Sequence, residues 1–146
     1  MATILCIDAE PSTLILLKTL LFELGHQPVL ARSMREGLQA LRQYSVDLVV
    51  SDSRMPDATG LDLFDALRGR GGRIPVIIMT GDPSLQQAIV SMQHGAVDYL
   101  VKPLSMETVR TAVTNALQVE RLRRDWAATR IGSEARPQAS RGAPAS

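Results

Sequence analysis

The sequence predicts an α/β domain with a parallel sheet, and three observations support this fold class. Five short apolar runs alternate with five stretches in which apolar residues recur at helical spacing. This alternation is typical of parallel strands that are covered by helices on both faces through right-handed crossovers. The third apolar run, Val46–Ser51, has the β-branched character of a strand buried on both faces, and it is followed directly by an acidic residue, Asp52.

The composition fits one globular domain followed by a tail. The 146 residues are 45% hydrophobic and 21% charged, which is ordinary for a folded domain. Residues 1–120 contain 10 Lys and Arg against 13 Asp and Glu, whereas residues 121–146 contain 6 against 2. Because the domain is mildly acidic, we expect no direct nucleic-acid binding by it, although the tail is basic.

Cysteine usage and hydropathy indicate in which cellular compartment the protein is expected. Cys6 is the sole cysteine and lies in an apolar run, where it is expected to be a small buried hydrophobe. No run reaches the roughly 18 apolar residues of a membrane span. The segment from Met1 to Asp8 also lacks the basic start of a signal peptide. We therefore expect a reduced, cytoplasmic protein without membrane contact.

The five predicted strands are short, apolar and bounded by turn or cap residues. They are expected at Thr3–Ile7, Gln27–Ala31, Val46–Ser51, Pro75–Met79 and Val97–Val101. A proline at the start of the fourth strand is compatible with this assignment because a missing N–H is tolerated there. Pro56 and Gly60 follow the third strand and predict a turn rather than more strand.

The first two helices have recognisable ends. Pro11 is expected in the first turn of the first helix, where proline is tolerated, and Gly25 is expected to end that helix. The buried face of this helix is predicted to carry Leu14, Leu17, Leu20, Leu21 and Leu24. Ser33 and Glu36 form a capping-box pattern for the second helix, which is expected to end near Gln43.

The last three helices follow from the same kinds of signal. Apolar residues within Leu61–Leu67 predict a short third helix, which the glycine-rich segment 69–72 ends. The pair Asp82-Pro83 predicts the cap and first turn of the fourth helix, and Gly95 terminates it. Ser105 predicts the cap of the fifth helix, whose apolar face includes Val109, Ala112, Val113, Ala116 and Leu117.

The chain changes character near residue 120, which predicts a domain boundary. We assign residues 1–120 to the domain and residues 121–146 to a helical extension with a flexible basic tail. Arginines at the start of this segment can prolong the last helix. From Gly132 the composition is rich in Ser, Ala, Pro and Gly, as in disordered segments.

Polar side chains follow four of the predicted strands: Asp8, Asp52, Thr80 and Lys102. Because the carboxyl ends of parallel strands lie at one edge of a sheet, where ligands bind, we expect these side chains to converge. Such a set supports phosphoryl transfer onto a carboxylate, since aspartate is a known covalent nucleophile of this kind. The remaining groups, with Mg²⁺ held by one or two carboxylates, can neutralise the charge of the phosphoryl group.

The strand-end residues lie in motifs that resemble the receiver domains of two-component response regulators, the CheY-like family, over about residues 2–120. The matching motifs are Ile7-Asp8 with Glu10-Pro11, Asp52 with Met55-Pro56 and Gly60, the segment from Pro75 to Gly81, and the segment from Gly95 to Pro103. The resemblance implies a flavodoxin-like (βα)5 doubly wound parallel sheet in strand order 2-1-3-4-5. It also implies a signalling domain rather than an enzyme.

The resemblance implies a role for each strand-end residue. Asp52 corresponds to the phosphoacceptor, which receives its phosphoryl group from a sensor histidine kinase or a phosphotransfer protein. Asp8, Asp52 and the backbone carbonyl of Arg54 correspond to the Mg²⁺ site. Thr80 and Lys102 correspond to the switch hydroxyl and the phosphate-binding lysine of the family.

One departure from the family pattern concerns the metal. Receiver domains usually carry two adjacent acids after the first strand, and in this chain the second position is Ala9. We therefore expect weakened Mg²⁺ binding. Glu10 is a candidate substitute ligand.

The family resemblance also predicts how phosphorylation is read out. The switch threonine moves toward the phosphate, and the aromatic residue, here Tyr99, turns inward behind it. The fourth helix, the fifth strand and the fifth helix are then the expected responsive face for a partner protein, an output domain or a second copy of the chain. Arg54 and Asp82 occupy positions that tune the phosphoryl lifetime in the family, and their opposite charges predict a pair across the pocket mouth.

Three alternatives stand beside this interpretation. A degenerate receiver, which binds partners without phosphorylation, is supported by Ala9 alone. A phosphatase of the haloacid-dehalogenase type needs a second aspartate two residues after the first, where this chain has Arg54. A flavin- or nucleotide-binding protein of this fold needs a Gly/Ser/Thr-rich phosphate loop after the first strand. This chain has Asp8-Ala9-Glu10-Pro11 there, which repels phosphate unless a cation intervenes.

Overall fold

The computed structural model describes residues 1–69 and 73–134 and confirms the predicted fold class. Five parallel strands form one sheet in the order β2-β1-β3-β4-β5. The elements are β1 Thr3–Ile7, α1 Pro11–Glu23, β2 Gln27–Ala31, α2 Met34–Gln43, β3 Leu48–Asp52, α3 Gly60–Arg68, β4 Val76–Thr80, α4 Leu85–Gln93, β5 Ala96–Val101 and α5 Met106–Glu134. None of these helices is long and apolar enough to cross a bilayer.

The register of the sheet brings the strand ends together. Ile7, the last residue of β1, pairs with Ser51 of β3. Thr80, the last residue of β4, pairs with Val101, the last residue of β5. The residues that end or follow these four strands therefore share one edge of the sheet, as predicted: Asp8, Asp52, Thr80 and Lys102.

Two aliphatic layers cover the sheet. One layer joins α1 and α5 to one face, and the other joins α2 and α3 to the opposite face. Side chains of β1 alternate between the layers, with Cys6 in the first and Ile7 in the second. Desolvation by burial raises the pKa of the Cys6 thiol to about 12, so Cys6 is a neutral core residue, as expected.

The start of β3 differs from the prediction. The strand begins at Leu48 rather than Val46, because Asp47 is engaged with the start of β1. The Asp47 carboxylate accepts a hydrogen bond from the backbone N–H of Thr3 at 2.8 Å. At its other end β3 includes Asp52, so the acidic residue is the last one held by the ladder.

Small boundary differences also occur in β4 and β5. β4 begins at Val76 rather than Pro75 and extends through Thr80. The carbonyl of Pro75 still accepts a hydrogen bond from the sheet, but proline has no N–H with which to continue the pairing. β5 begins at Ala96 rather than Val97, and its register with β4 shifts by one residue near this end.

The predicted cap of α4 was wrong. α4 begins at Leu85, and its cap is Ser84, whose Oγ accepts a hydrogen bond from the Gln87 N–H at 3.0 Å. The N–H of Asp82 instead donates to the hydroxyl of Thr80 at 3.1 Å. Asp82 therefore belongs to the turn that follows β4, next to the candidate site.

The ends of α3 agree in part with the sequence signals. Asp62 accepts a hydrogen bond from the N–H of Thr59 at 2.9 Å and closes the first turn, a contact that the sequence did not reveal. Gly69 caps the C-terminus, as expected. The rest of the predicted glycine-rich end, residues 70–72, lies outside the described residues.

α5 is the longest helix and begins where predicted. Ser105 caps it, and its Oγ accepts a hydrogen bond from the Thr108 N–H at 3.0 Å. The helix then runs to Glu134, so the predicted boundary at residue 120 falls inside it and residues 132–134 are helical rather than part of a disordered tail. The remainder of the predicted tail, residues 135–146, lies outside the described part of the chain.

Candidate functional site

Asp8 is the innermost residue of the candidate site. It follows β1, and its relative exposure is 0%. Oδ1 accepts a hydrogen bond from the Glu10 N–H at 2.8 Å, whereas Oδ2 is buried and faces the ammonium group of a lysine. Because a buried carboxylate is costly unless a cation compensates its charge, Asp8 needs a positive partner. That partner is Lys102, whose Nζ lies 2.7 Å from Oδ2 as an ion pair.

The ammonium group of Lys102 contacts three carboxylates. Its Nζ lies 2.7 Å from Asp8, 3.0 Å from Glu10 and 3.4 Å from Asp52. Burial alone would lower the pKa of Lys102, but hydrogen bonds to Asp8 and Glu10 and the charges of Asp52 and Asp8 outweigh burial and raise it. Lys102 is therefore held as a cation at the centre of the site.

Asp52, the last residue of β3, is more accessible than Asp8. Its side chain is 16% exposed. Burial and the charge of Asp8 raise the pKa of Asp52, and Lys102 and the Ser53 N–H only partly offset them. The ionised form of Asp52 is therefore incompletely compensated, which is the condition that an added cation relieves.

Thr80 and the predicted Arg54–Asp82 pair border the same edge. Thr80 is 2% exposed, and the N–H of Lys102 donates to its carbonyl at 2.7 Å. The guanidinium of Arg54 lies 3.8 Å from the carboxylate of Asp82, with the two side chains 74% and 81% exposed. The opposite charges are thus brought together as a solvent-exposed contact.

Tyr99 links β5 to α4. Its side chain is half-buried, and its hydroxyl donates to Oε1 of Gln87 at 2.9 Å. Beside this contact a cavity of about 270 Å³ separates α4 from the loop after β3, and its lining includes Ser53, Gln87 and Ser91. Gln87 is a residue that the sequence analysis did not single out.

The oxygen atoms at this edge suit Mg²⁺. Asp8 and Asp52 offer hard oxygen ligands, and Mg²⁺ needs only one or two carboxylates because waters and phosphate oxygens complete its shell. The buried Oδ2 of Asp8 is already paired with the ammonium of Lys102, so the carboxylate of Asp52, 3.4 Å from the same ammonium, is the acid that an added cation would further compensate. Within residues 1–69 and 73–134, no group of three acidic, His or Cys side chains is arranged as a metal cage. Glu10, the candidate substitute ligand, contacts Lys102 in this structure.

A second contact that the sequence did not reveal involves Asp57, in the loop after β3. Its carboxylate accepts hydrogen bonds from the first two backbone N–H groups of α2, at 2.9 Å from Met34 and 3.0 Å from Arg35. These bonds lower the pKa of Asp57. No local pattern marks this contact, because the partners are more than twenty residues away in the chain.

The fold and the site define a class: a flavodoxin-like α/β domain with an acid–lysine cluster at the carboxyl edge of its sheet. The family model described as the response regulator receiver domain matches residues 4–114, and the chain belongs to this family. Receiver domains are signalling domains that work with histidine kinases and output domains.

Curated relatives are longer than this chain. The transcriptional regulatory protein GlrR of Escherichia coli K12 is 36% identical over 117 residues, which are 80% of this chain and 26% of the relative. ZraR of the same organism is 34% identical over 114 residues, which are 78% of this chain and 26% of that protein. The chain thus spans about a quarter of the length of these relatives.

Solved receiver domains match nearly end to end. A receiver domain protein from Clostridium thermocellum is 35% identical, with a TM-score of 0.77 and coverage of 84% of this chain and 98% of that one. The beryllofluoride-activated NtrC4 receiver domain dimer is 29% identical, with a TM-score of 0.76 and coverage of 81% and 98%.

Proposed function

We propose that this chain is a phosphorylatable receiver in which Asp52 accepts a phosphoryl group from a phosphohistidine of a histidine kinase or a phosphotransfer protein. The observation that carries the proposal is the position of Lys102, with Nζ 3.4 Å from Asp52 and 2.7 Å from Asp8. A cation at this point can neutralise the oxygens of a phosphoryl group bound to Asp52.

The transfer is a direct displacement at phosphorus. A carboxylate oxygen of Asp52 attacks the phosphorus in line with the P–N bond of the phosphohistidine. An O–P bond forms as the P–N bond breaks, and the electron pair of that bond returns to the ring nitrogen. A proton on the second ring nitrogen lets the imidazole depart as a neutral group. The product is aspartyl phosphate.

Neighbouring residues stabilise the transferred group. Thr80, whose hydroxyl accepts a hydrogen bond from Asp82, keeps a proton with which to donate to a phosphoryl oxygen. Asp8, Asp52 and the carbonyl of Arg54 would hold Mg²⁺, with Glu10 as a further candidate. Bound there, Mg²⁺ supplies positive charge against the phosphoryl oxygens. With alanine at position 9, we expect this affinity to be weak.

The readout involves the face formed by α4, β5 and α5. Tyr99 and Gln87 connect β5 to α4. The face also carries large apolar side chains that are about half exposed: Ile89, Met92, Val97 and Val101. A partner protein, an output domain or a second copy of the chain would bind there in a phosphorylation-dependent manner. Tyr99 would act as the switch aromatic.

The domain arrangement and the location follow from the same proposal. Residues 1–120 form the receiver, and residues 121–146 form the extension that leads toward an output module. We propose a cytoplasmic location, since histidine kinases transfer their phosphoryl groups to receivers there. Arg54 and Asp82 tune the lifetime of the phosphoryl group.

The second candidate function is a degenerate receiver that binds its partner without phosphorylation. Ala9 favours it, because the family usually has an acid at this position. The variant Ala9→Asp separates the two candidates, since it restores that acid and leaves Asp8, Asp52 and Lys102 in place.

Incubation with phosphoramidate, a small donor with a P–N bond, and Mg²⁺ tests the proposal. The intact mass of the native chain should show one phosphoryl adduct that Asp52→Asn does not form. Ala9→Asp should form the adduct at a lower Mg²⁺ concentration. A folded native chain that forms no adduct at saturating Mg²⁺ would favour the degenerate receiver.

A further inference from the structure

Asp57 ties the loop after β3, residues 53–59, to α2. Its two carboxylate oxygens accept hydrogen bonds from Met34 at 2.9 Å and Arg35 at 3.0 Å. These N–H groups belong to the first turn of a helix, where no intrahelical acceptor is available. Ser33 already caps the same helix by accepting from the Glu36 N–H at 3.2 Å. Asp57 is therefore a second anchor, which comes from a different part of the chain.

The loop is tied to itself between Asp57 and the site. Arg54 and Thr59 form an antiparallel bridge across its base. The N–H of Met55 donates to the carbonyl of Ala58 at 2.8 Å. Met55 is also buried in the core. A displacement at Asp57 is therefore transmitted to the backbone of Arg54, three residues away.

α2 is in turn fixed against β1, the strand that Asp8 follows. Gly37 lies so close to β1 that a Cβ atom at this position would be 2.6 Å from Cδ1 of Ile7. α2 thus has one close contact with the strand that positions Asp8 and another with the loop that carries Arg54. It forms a bridge between the two sides of the candidate metal site.

We propose that Asp57 is a positioning residue, which through α2 sets the place of the Arg54 carbonyl relative to Asp8 and so sets the affinity of the site for Mg²⁺. This inference rests on the proposed function, in which both groups are metal ligands. Coupling between two sites is reciprocal, so Mg²⁺ binding also strengthens the contact between Asp57 and α2.

The test compares Asp57→Ala with Ser33→Ala by calorimetric titration of the full chain with Mg²⁺. Both variants remove an acceptor from the first turn of α2, but only Asp57→Ala disconnects the loop. We expect at least a threefold weaker Mg²⁺ affinity for Asp57→Ala and native affinity for Ser33→Ala. Both variants should lower the midpoint of the unfolding transition by similar amounts. Asp57→Asn keeps one carbonyl oxygen as an acceptor, so its Mg²⁺ affinity should lie between those of the native chain and Asp57→Ala.

Amide hydrogen exchange supplies the reciprocal readout. Mg²⁺ should slow the exchange of the Met34 and Arg35 amides in the native chain but not in Asp57→Ala. Native affinity in Asp57→Ala, or equal weakening in both alanine variants, would overturn the positioning role while leaving the metal site intact. A native chain that binds no Mg²⁺ would instead overturn the proposed metal site and this inference with it.

Discussion

The Nζ of Lys102 lies 2.7 Å from Oδ2 of Asp8, a carboxylate that is fully buried in the protein. This ion pair joins the residue after β1 to the residue after β5. The two residues are far apart in the sequence, and the parallel sheet brings them to one edge. The pair therefore compensates the buried charge of Asp8 and holds a cation beside Asp52.

Removal of Lys102 should destabilise the fold. Lys102→Met leaves the buried Asp8 charge without its partner, and breaking a buried pair in this way typically costs about 3–5 kcal/mol. We expect a loss near the lower end of this range, because the lysine side chain is 14% exposed. Urea denaturation at neutral pH measures the free energy of unfolding.

Lys18→Met is the matched control for this prediction. Lys18 is an exposed lysine of α1, so its replacement should change the free energy of unfolding by less than about 0.5 kcal/mol. Equal, small effects of the two substitutions would mean that the Lys102–Asp8 pair does not stabilise the domain.

Asp52→Asn should stabilise the metal-free fold. The folded state raises the pKa of Asp52 above its ordinary value of 3.8, which the unfolded chain retains. At a pH between the unfolded and the folded pKa, the folded chain therefore binds more protons than the unfolded chain. Stability is then lost as the pH rises through this window, and it stays lost above it. Asn carries no charge, so the variant should escape this loss.

Urea midpoints of both proteins from pH 4 to 8, without Mg²⁺, measure this difference. The urea midpoint of Asp52→Asn should exceed that of the native chain by an amount that grows with pH and then levels off. Addition of Mg²⁺ should reduce this difference in urea midpoint by stabilising the native protein. Parallel pH profiles would show that ionised Asp52 is fully compensated in the fold.

Arg54→Ala should shorten the lifetime of the phosphoryl group. In the proposed function, the exposed Arg54–Asp82 contact at the pocket mouth would hinder the approach of water, so its loss should accelerate dephosphorylation about two- to fivefold. Little change in stability is expected, since exposed pairs contribute about 0–1 kcal/mol. Decay of the adduct, followed by intact mass, measures the rate.

Arg68→Ala provides the comparison for Arg54→Ala. Arg68 forms an exposed pair with Asp65 on α3, within a single helix and apart from the pocket. Its removal should leave the decay rate unchanged. An unchanged rate in Arg54→Ala as well would end the assignment of a protective role to the pair.

The hydrogen bond between Tyr99 and Gln87 should appear as a coupling energy. Tyr99→Phe and Gln87→Ala each remove one partner of a partly buried contact, and a bond of this kind contributes about 0.5–1.5 kcal/mol. A double-mutant cycle on the free energy of unfolding isolates this coupling. The same cycle with Gln86, an exposed neighbour on α4, should be additive. Additivity in the Gln87 cycle would contradict a stabilising bond.

Much of the fold could be predicted because its signals are local. The strands of a doubly covered parallel sheet are continuous apolar runs, so each was visible in the sequence. The cluster of Asp8, Asp52 and Lys102 followed from topology, since parallel strands end at one edge. The cap of α4 was missed because Asp82-Pro83 and Ser84 offer competing signals within three residues, and only the turn that engages Asp82 with Thr80 decides between them.

Other features of the site depend on tertiary distances that no local pattern encodes. Asp57 reaches α2 and Tyr99 reaches Gln87 across separate elements of the fold. The contact of Glu10 with Lys102 likewise follows from how β5 ends beside the start of α1. Asp57 and Gln87 are ordinary loop and helix surface residues when only the sequence is considered, and for Tyr99, Glu10 and Lys102 the sequence indicates a role but not these partners.

Borohydride trapping gives a direct test of whether Asp52 forms an acyl phosphate. Borohydride reduces aspartyl phosphate to homoserine, which marks the modified position permanently in the peptide mass spectrum. After treatment with phosphoramidate and Mg²⁺, we expect homoserine at position 52 and at no other aspartate. An unmodified position 52 in a folded chain, or homoserine at position 8 instead, would contradict it.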